Sequence, residues 1–313
     1  MALAMPAKKG TITYTMANGE KIEVKLHGDE HHHFYTTTDG YVLLRDNKGD
    51  FTYARNENSK LVDTHVRATN INLRTSEVKT MLSTIDRDAS LKLQQISRDE
   101  LMLKRSPRFK ATASNKYESQ LSTFPKTGSP RVLVLLVQFS DVKFTLPNPQ
   151  EAFSNQLKQQ GYSDSGATGS VLEYFTASSN GQFTPQFDVY GPITLSRPMS
   201  YYGGNDQGGN DLHPAEMITD ACALIDDQID FSVYDNDNDG VVDNIYVYYA
   251  GYGEADGGPA ASVWPHSWDL HEAFSQEFVF DGKRIDHYAC SNELRDGAGS
   301  VIAGIGTFCH EFG

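Results

Sequence analysis

His310, Glu311, Phe312 and Gly313 occupy the first four positions of an H-E-x-x-H pattern. On a helix, side chains at i and i+4 share a face, so two imidazoles at that spacing can grip one Zn²⁺ while the glutamate between them serves as general base. The chemistry of such a group is hydrolysis by a metal-activated water, with the carboxylate moving the proton. The fifth position is residue 314, so the sequence is read as truncated inside the motif. On that reading the 313-residue chain lacks the second histidine and the third ligand, and is expected to hold no tight zinc and to be inactive. Zinc-dependent casein cleavage by this chain would contradict that expectation. A second His-Glu pair, His271 and Glu272, has Ser275 at its fifth position and fails the pattern. His213 and Glu216 have an H-x-x-E spacing with no following histidine, and Pro214 with Glu216 suits the first turn of a helix.

A second constellation lies upstream. Asp235, Asp237, Asp239 and Asp243 stand at positions 1, 3, 5 and 9 of a loop with Gly240 at position 6. That spacing matches the first nine positions of an EF-hand-type Ca²⁺ loop, with the carbonyl of Val241 supplying position 7. Four carboxylates this close repel one another unless a cation lies between them. Position 12 is Tyr246 where the pattern calls for a bidentate glutamate.

The elements that must carry these groups can be read from periodicity. Residues 11–54 alternate with a period of two, and Asn18-Gly19, Asp39-Gly40 and residues 47–50 supply turns, which predicts a β-meander. His31, His32 and His33 would alternate between faces of a strand, which suits solvated histidines better than one metal site. Residues 83–103 shift to a helical period through Ile85, Ala89, Leu93, Ile96 and Leu103. Residues 104–131 are rich in Lys, Arg, Ser, Thr and Pro, a linker composition open to trypsin-like cleavage. The apolar run 132–139 predicts a strand buried on both faces, and a new domain begins there. A short helix at 170–179, a strand region through Phe183, Phe187 and Val189, a helix at 213–229 and a strand at 245–250 follow before the terminal helix.

The net charge of −14 is unevenly divided. Residues 1–131 carry 21 Lys+Arg against 15 Asp+Glu, and residues 132–313 carry 6 against 26. The acidic half is a poor partner for nucleic acid, and a basic leader docked on an acidic domain is expected to loosen in salt. No apolar run approaches the ~20 residues that a transmembrane helix needs. Cys222, Cys290 and Cys309 are too few for a disulfide framework and read as buried free thiols. With no cysteine before residue 222, a thiolate switch in the leader is excluded. Asp29, Asp39 or a histidine from 31 to 33 remain alternatives for a latency ligand.

The segments 132–141, SVLEYFTASSNGQF at 170–183, DNDNDGVVDNIYVYYAG at 235–251, VWPH at 263–266 and IGTFCHEFG at 305–313 occur in this order. Taken together they resemble the M6 family of secreted bacterial metallopeptidases, which includes the immune-inhibitor-A-like enzymes. The segment LHGDEHHHFYTTTDGY is similar to the amino-terminal part of their precursors. The resemblance implies an α+β protein: a β-rich prodomain over 1–103, a basic processing segment over 104–131, and the upper part of a zincin-like catalytic domain over 132–313. That domain would comprise a twisted mixed sheet, a backing helix and the start of the active-site helix. It further implies His310 as first zinc ligand, Glu311 as base, protein or peptide substrates, a prodomain docked on the catalytic domain, and a secreted protein given without its signal. His266 of VWPH is left between a substrate-side or second-shell role and a structural one. The competing reading is a non-catalytic, calcium-stabilised cell-surface adhesion module.

Overall fold

The computed structural model describes residues 7–29, 32–46, 49–105, 124–206, 210–295 and 301–312. Among these, 7–105 with 205, 206 and 210 form one compact unit, and 124–204 with 211–312 form the other.

The amino-terminal unit is a meander. Strands β1 (Ile12–Thr15), β2 (Lys21–Asp29), β3 (His32–Thr37), β4 (Val42–Arg45), β5 (Phe51–Glu57) and β6 (Lys60–Arg67) lie in sequence order, each antiparallel to the next. Ile22, Val24, Val42, Phe51 and Tyr53 form its core. Helix α1 (Ser76–Leu82) has no counterpart in the periodicity reading; Thr75 caps it by accepting from the Val78 N–H. Helix α2 (Arg87–Arg105) packs on β3 to β6.

Two expectations change here. Ile96 is exposed, whereas Ser90 and Gln94 are buried among the described side chains of α2. His32 and His33 are buried too. His32 Nε2 lies 2.8 Å from Gln94 Oε1, a contact that gives both buried polar side chains a partner. His31 lies outside the described residues.

Burial foremost, with the charge of His32 adding to it, holds the His33 imidazole down at about 4. An unfolded histidine titrates near ~6.5. Between these values the unfolded chain binds a proton that the folded one refuses, so this unit loses stability as pH falls from ~6.5 to ~4, by up to roughly 3 kcal/mol. Thermal unfolding at pH 7 and pH 5 should show a smaller acid loss in His33→Gln than in the wild type. Equal acid sensitivity in the two would contradict the assignment.

The second unit is built on strand β7 (Arg131–Gln138), in which every residue from Val132 to Val137 is fully buried. It continues through α3 (Pro149–Lys158), α4 (Val171–Ser178), β8 (Gln186–Thr194), α5 (Met199–Gly203), α6 (Pro214–Ile225), β9 (Val241–Val242) and β10 (Ile245–Tyr252). Then come β11 (His266–Asp269), α7 (Leu270–Ala273), β12 (Phe278–Phe280), β13 (Lys283–Ile285), β14 (His287–Leu294) and α8 (Ile305–Phe312). The main sheet has the order β11-β14-β10-β7-β8. Neighbours are parallel except β11, an edge strand antiparallel to β14. A small sheet, β12-β13-β9, flanks it.

The period of two along each strand assigns the two faces. Leu133, Leu135, Val137, Val247, Tyr249 and Cys290 share a core with Ile218, Ala221, Cys222 and Ile225 of α6. Val132, Val134, Leu136, Tyr246, Tyr248 and Ala289 share the other with α3, α4 and Phe308 of α8. The helices start where local chemistry dictates: Ser170 and Glu173 form a reciprocal capping box on α4, and Pro149 and Pro214 open α3 and α6. The three cysteines are free, with Cys222 and Cys290 buried.

The carboxyl-terminal end of the 104–131 segment is woven into this unit. Gly128 accepts from the Thr184 N–H and donates to Gln182, and Asn236 brackets Arg131 by accepting from its N–H and donating to its carbonyl. The Arg131 guanidinium lies on Asp188 at 2.7 Å. Residues 106–123 lie outside the described residues.

Candidate active site

Helix α8 is held by its aromatic face. Phe308 and Phe312, four residues apart, point the same way. The Phe308 ring lies 3.9 Å from that of Tyr246 and 5.5 Å from Phe187, and Phe312 meets Phe124, Phe175 and Phe187 at 5.0, 5.6 and 6.3 Å. Phe308 is fully buried. With these rings against the sheet, Glu311 is also buried, while His310 keeps 23% of its side chain exposed. The His310 Nε2 and Glu311 Oε1 atoms lie 3.9 Å apart. Burial holds the His310 imidazole below its ordinary value, which favours the uncharged form, the form in which an imidazole can serve as a metal ligand. A half-buried imidazole with a carboxylate beside it fits the first ligand and the base of the H-E-x-x-H pattern. Gly313 lies outside the described residues.

His266 is placed differently. Its Nδ1 is 2.6 Å from the Trp264 carbonyl and its Nε2 is 2.9 Å from the Tyr288 hydroxyl. It pairs across the strands with Cys290, which packs on the α6 face of the sheet, opposite the face that α8 covers. Both ring nitrogens serve the framework, so the geometry favours a structural histidine over a substrate-side one. His271 and Glu272 fall on the short α7, where the His271 Nδ1 is 2.9 Å from Asp286. His213 takes the N-cap position of α6 with its ring stacked on Tyr201 at 4.4 Å.

The acidic loop folds as a compact turn. Asp235, Asp237 and Asp239 each present a carboxylate oxygen within 4.8 Å of the others. Backbone N–H groups help to hold them: Asp239 and Gly240 donate to Asp235, and Val241 donates to Asp239. Asn238 (φ 60°) and Gly240 (φ 94°) supply the left-handed corners. Asp243 stands apart from this trio, accepting from the Asn236 N–H at 2.9 Å and its side-chain amide at 2.7 Å. Val241 begins β9 and pairs with Arg284. Sequence reading missed Lys283, whose Nζ lies 2.6 Å from Asp235 Oδ2. Burial alone would raise the Asp235 carboxyl; the Lys283 ammonium and the Gly240 and Asp239 N–H groups outweigh it and hold it below its usual range. The donor set of three clustered carboxylates fits a hard cation. Tyr246 at position 12 is fully buried, donates to Ser291 Oγ at 2.8 Å and packs its ring, tilted by 30°, on Phe308. The residue that breaks the Ca²⁺ pattern thus helps to tie the loop's strand to α8.

Comparison with known proteins bears on the same residues. Residues 119–313 match the model of the family described as immune inhibitor A peptidase M6, catalytic domain. The Pre-pro-metalloprotease PrtV of Vibrio cholerae serotype O1 is 26% identical over 175 residues, 45% of this chain and 19% of that protein. Immune inhibitor A of Bacillus thuringiensis subsp. alesti is 24% identical over 224 residues, 58% of this chain and 32% of that protein. The chain thus spans between about a fifth and a third of the curated relatives it matches. The adhesion-module reading gains nothing from these matches. With a family model covering well over half of its residues, this chain belongs to the M6, or immune inhibitor A, family of peptidases.

Proposed function

We propose that residues 132–312 are the amino-terminal part of a zinc endopeptidase catalytic domain, in which His310 is the first zinc ligand and Glu311 the general base. The observation that carries this reading is α8 itself: within the family match, its aromatic face sets a half-buried His310 and a buried Glu311 beside the sheet. A layered sheet with α6 behind it and one antiparallel edge strand supports a zincin-like architecture. Bound zinc would supply Lewis acidity and a water of lowered pKa. His310 would hold the metal through a neutral ring nitrogen. Glu311 would take a proton at its carboxylate and return it to the leaving amine. Reading codon 314 of the gene tests the motif: histidine is expected, and any other residue would remove the pincer.

The amino-terminal unit is assigned as a prodomain, followed by a processing segment upstream of the anchored Gly128. In support, one relative is named a pre-pro-metalloprotease, and the segment 104–131, with 7 Lys+Arg against 1 Asp+Glu, precedes an acidic domain. Secretion and action on protein or peptide substrates follow from the same reading. Among the described residues no helix is long and apolar enough to cross a membrane.

The acidic loop is assigned to Ca²⁺, with Asp235, Asp237 and Asp239 as carboxylate ligands. Ca²⁺ at a hundredfold over its Kd is expected to add about 2.7 kcal/mol of stability, and Asp239→Asn to remove most of that gain. Calorimetric scans with and without Ca²⁺ check this. A wild-type Tm indifferent to Ca²⁺ would sink the assignment.

A further inference from the structure

Aromatic contacts fix the rotation of α8 better than its position along its own axis. Ring faces attract over a range of offsets, so Phe308 and Phe312 tolerate sliding over Tyr246, Phe187 and Phe175. A hydrogen bond does not tolerate it, because its strength falls steeply with distance and angle. Among the described residues, the chain entering α8 has such bonds at Val301, whose carbonyl accepts from the Arg295 N–H at 3.0 Å, and on both sides of the peptide at Ala303, two positions before the helix starts. Its N–H donates to the Glu293 carbonyl at 2.7 Å, which ties it to the end of β14. Its carbonyl accepts from Gln156 Nε2 at 2.6 Å.

Gln156 belongs to α3, 147 residues away in sequence, and is almost fully buried at 1% exposure. The Tyr248 hydroxyl of β10 donates to its Oε1 at 2.9 Å, which orients the amide so that Nε2 faces Ala303. Tyr248 is itself clamped by the Phe153 ring, stacked at 4.1 Å, one helical turn before Gln156 on α3. The chain Tyr248–Gln156–Ala303 therefore joins a central strand, a covering helix and the root of the His-Glu helix through two directional bonds. We propose that Gln156 is a positioning residue that sets the axial register of α8, and with it the place of His310 and Glu311. This rests on the peptidase reading for its catalytic consequence, but not for its structural one.

The test uses the full-length gene product, comparing wild type with Gln156→Met, which keeps the shape and removes both bonds, and with Gln156→Glu. The carboxylate introduced by Gln156→Glu keeps the acceptor for Tyr248 and loses the donor to Ala303; once protonated, the carboxyl regains a donor. In Gln156→Met, amide exchange over 303–312 should quicken about tenfold while that of β7 is unchanged, and kcat should fall between ten- and a hundredfold at a nearly constant KM. In Gln156→Glu, the deficit in kcat relative to wild type should shrink as pH is lowered and the buried carboxyl takes its proton. Should Gln156→Met fail to fold, the pH-dependent rescue in Gln156→Glu carries the test alone. Unchanged exchange over 303–312, exchange quickened equally in β7, or a deficit in Gln156→Glu that is constant with pH would each overturn the proposal. Faster exchange of α8 in a protein whose wild type cleaves no peptide would uphold the register lock and refute the peptidase reading instead.

Discussion

Glu311→Gln in the full-length protein is expected to lower kcat by about 10²–10⁴-fold while leaving zinc content and Tm close to wild type. Glutamine has the shape of glutamate, and at 3% side-chain exposure shape decides whether α8 still packs. What the substitution removes is the ability to accept a proton. The neighbouring His310 keeps its ring nitrogen, so metal retention should not follow the loss of activity. Parallel determination of kcat, zinc per chain and Tm separates the possibilities. Full activity in this variant would mean that the base lies elsewhere, and loss of zinc would mean that Glu311 supports the metal instead of the proton.

Phe308→Ala is expected to cost the second unit about 3–5 kcal/mol, which for a domain of this size lowers Tm by roughly 10 °C. Phe308 has no exposed surface and meets the rings of Tyr246, Tyr248, Phe187 and Phe312. Its removal leaves a cavity walled by rings from β8, β10 and α8, which cannot all collapse inward at once. Because Tyr246 is also position 12 of the acidic loop, the same substitution should weaken the link between that loop and the His-Glu helix. Thermal unfolding followed by circular dichroism gives the number. A loss below about 1 kcal/mol would show that α8 does not depend on this ring.

These two residues also show why the site is partly legible in the sequence. Val132 to Val137 announce a buried central strand because no polar residue interrupts them, and β7 is that strand. Ser170 with Glu173 announces a helix start because a capping box is local. Strand β14 escapes a reading by periodicity. Ser291, Asn292 and Glu293 make its sequence look polar, yet all three are buried. Glu293 satisfies its carboxylate with the N–H groups of Thr145, Leu146 and Gly251, partners that no local window contains. The same reason hides Lys283, 48 residues from the Asp235 it neutralises, and Gln156, 147 residues from Ala303. His32 misleads in the opposite direction, since a histidine next to two others reads as solvated until Gln94 of α2 is placed over it. The spacing of Asp235, Asp237 and Asp239 does bring three carboxylates together, whereas Asp243, at the right interval, turns to Asn236.

His310 is proposed to hold the metal and Glu311 to move the proton. Zinc per chain, measured by mass spectrometry of the metal on full-length wild type, His310→Ala and Glu311→Gln, tests it most directly when read beside peptide cleavage. One zinc in the wild type and in Glu311→Gln, little or none in His310→Ala, and cleavage by the wild type alone is the predicted result. Zinc and cleavage both retained in His310→Ala would contradict it.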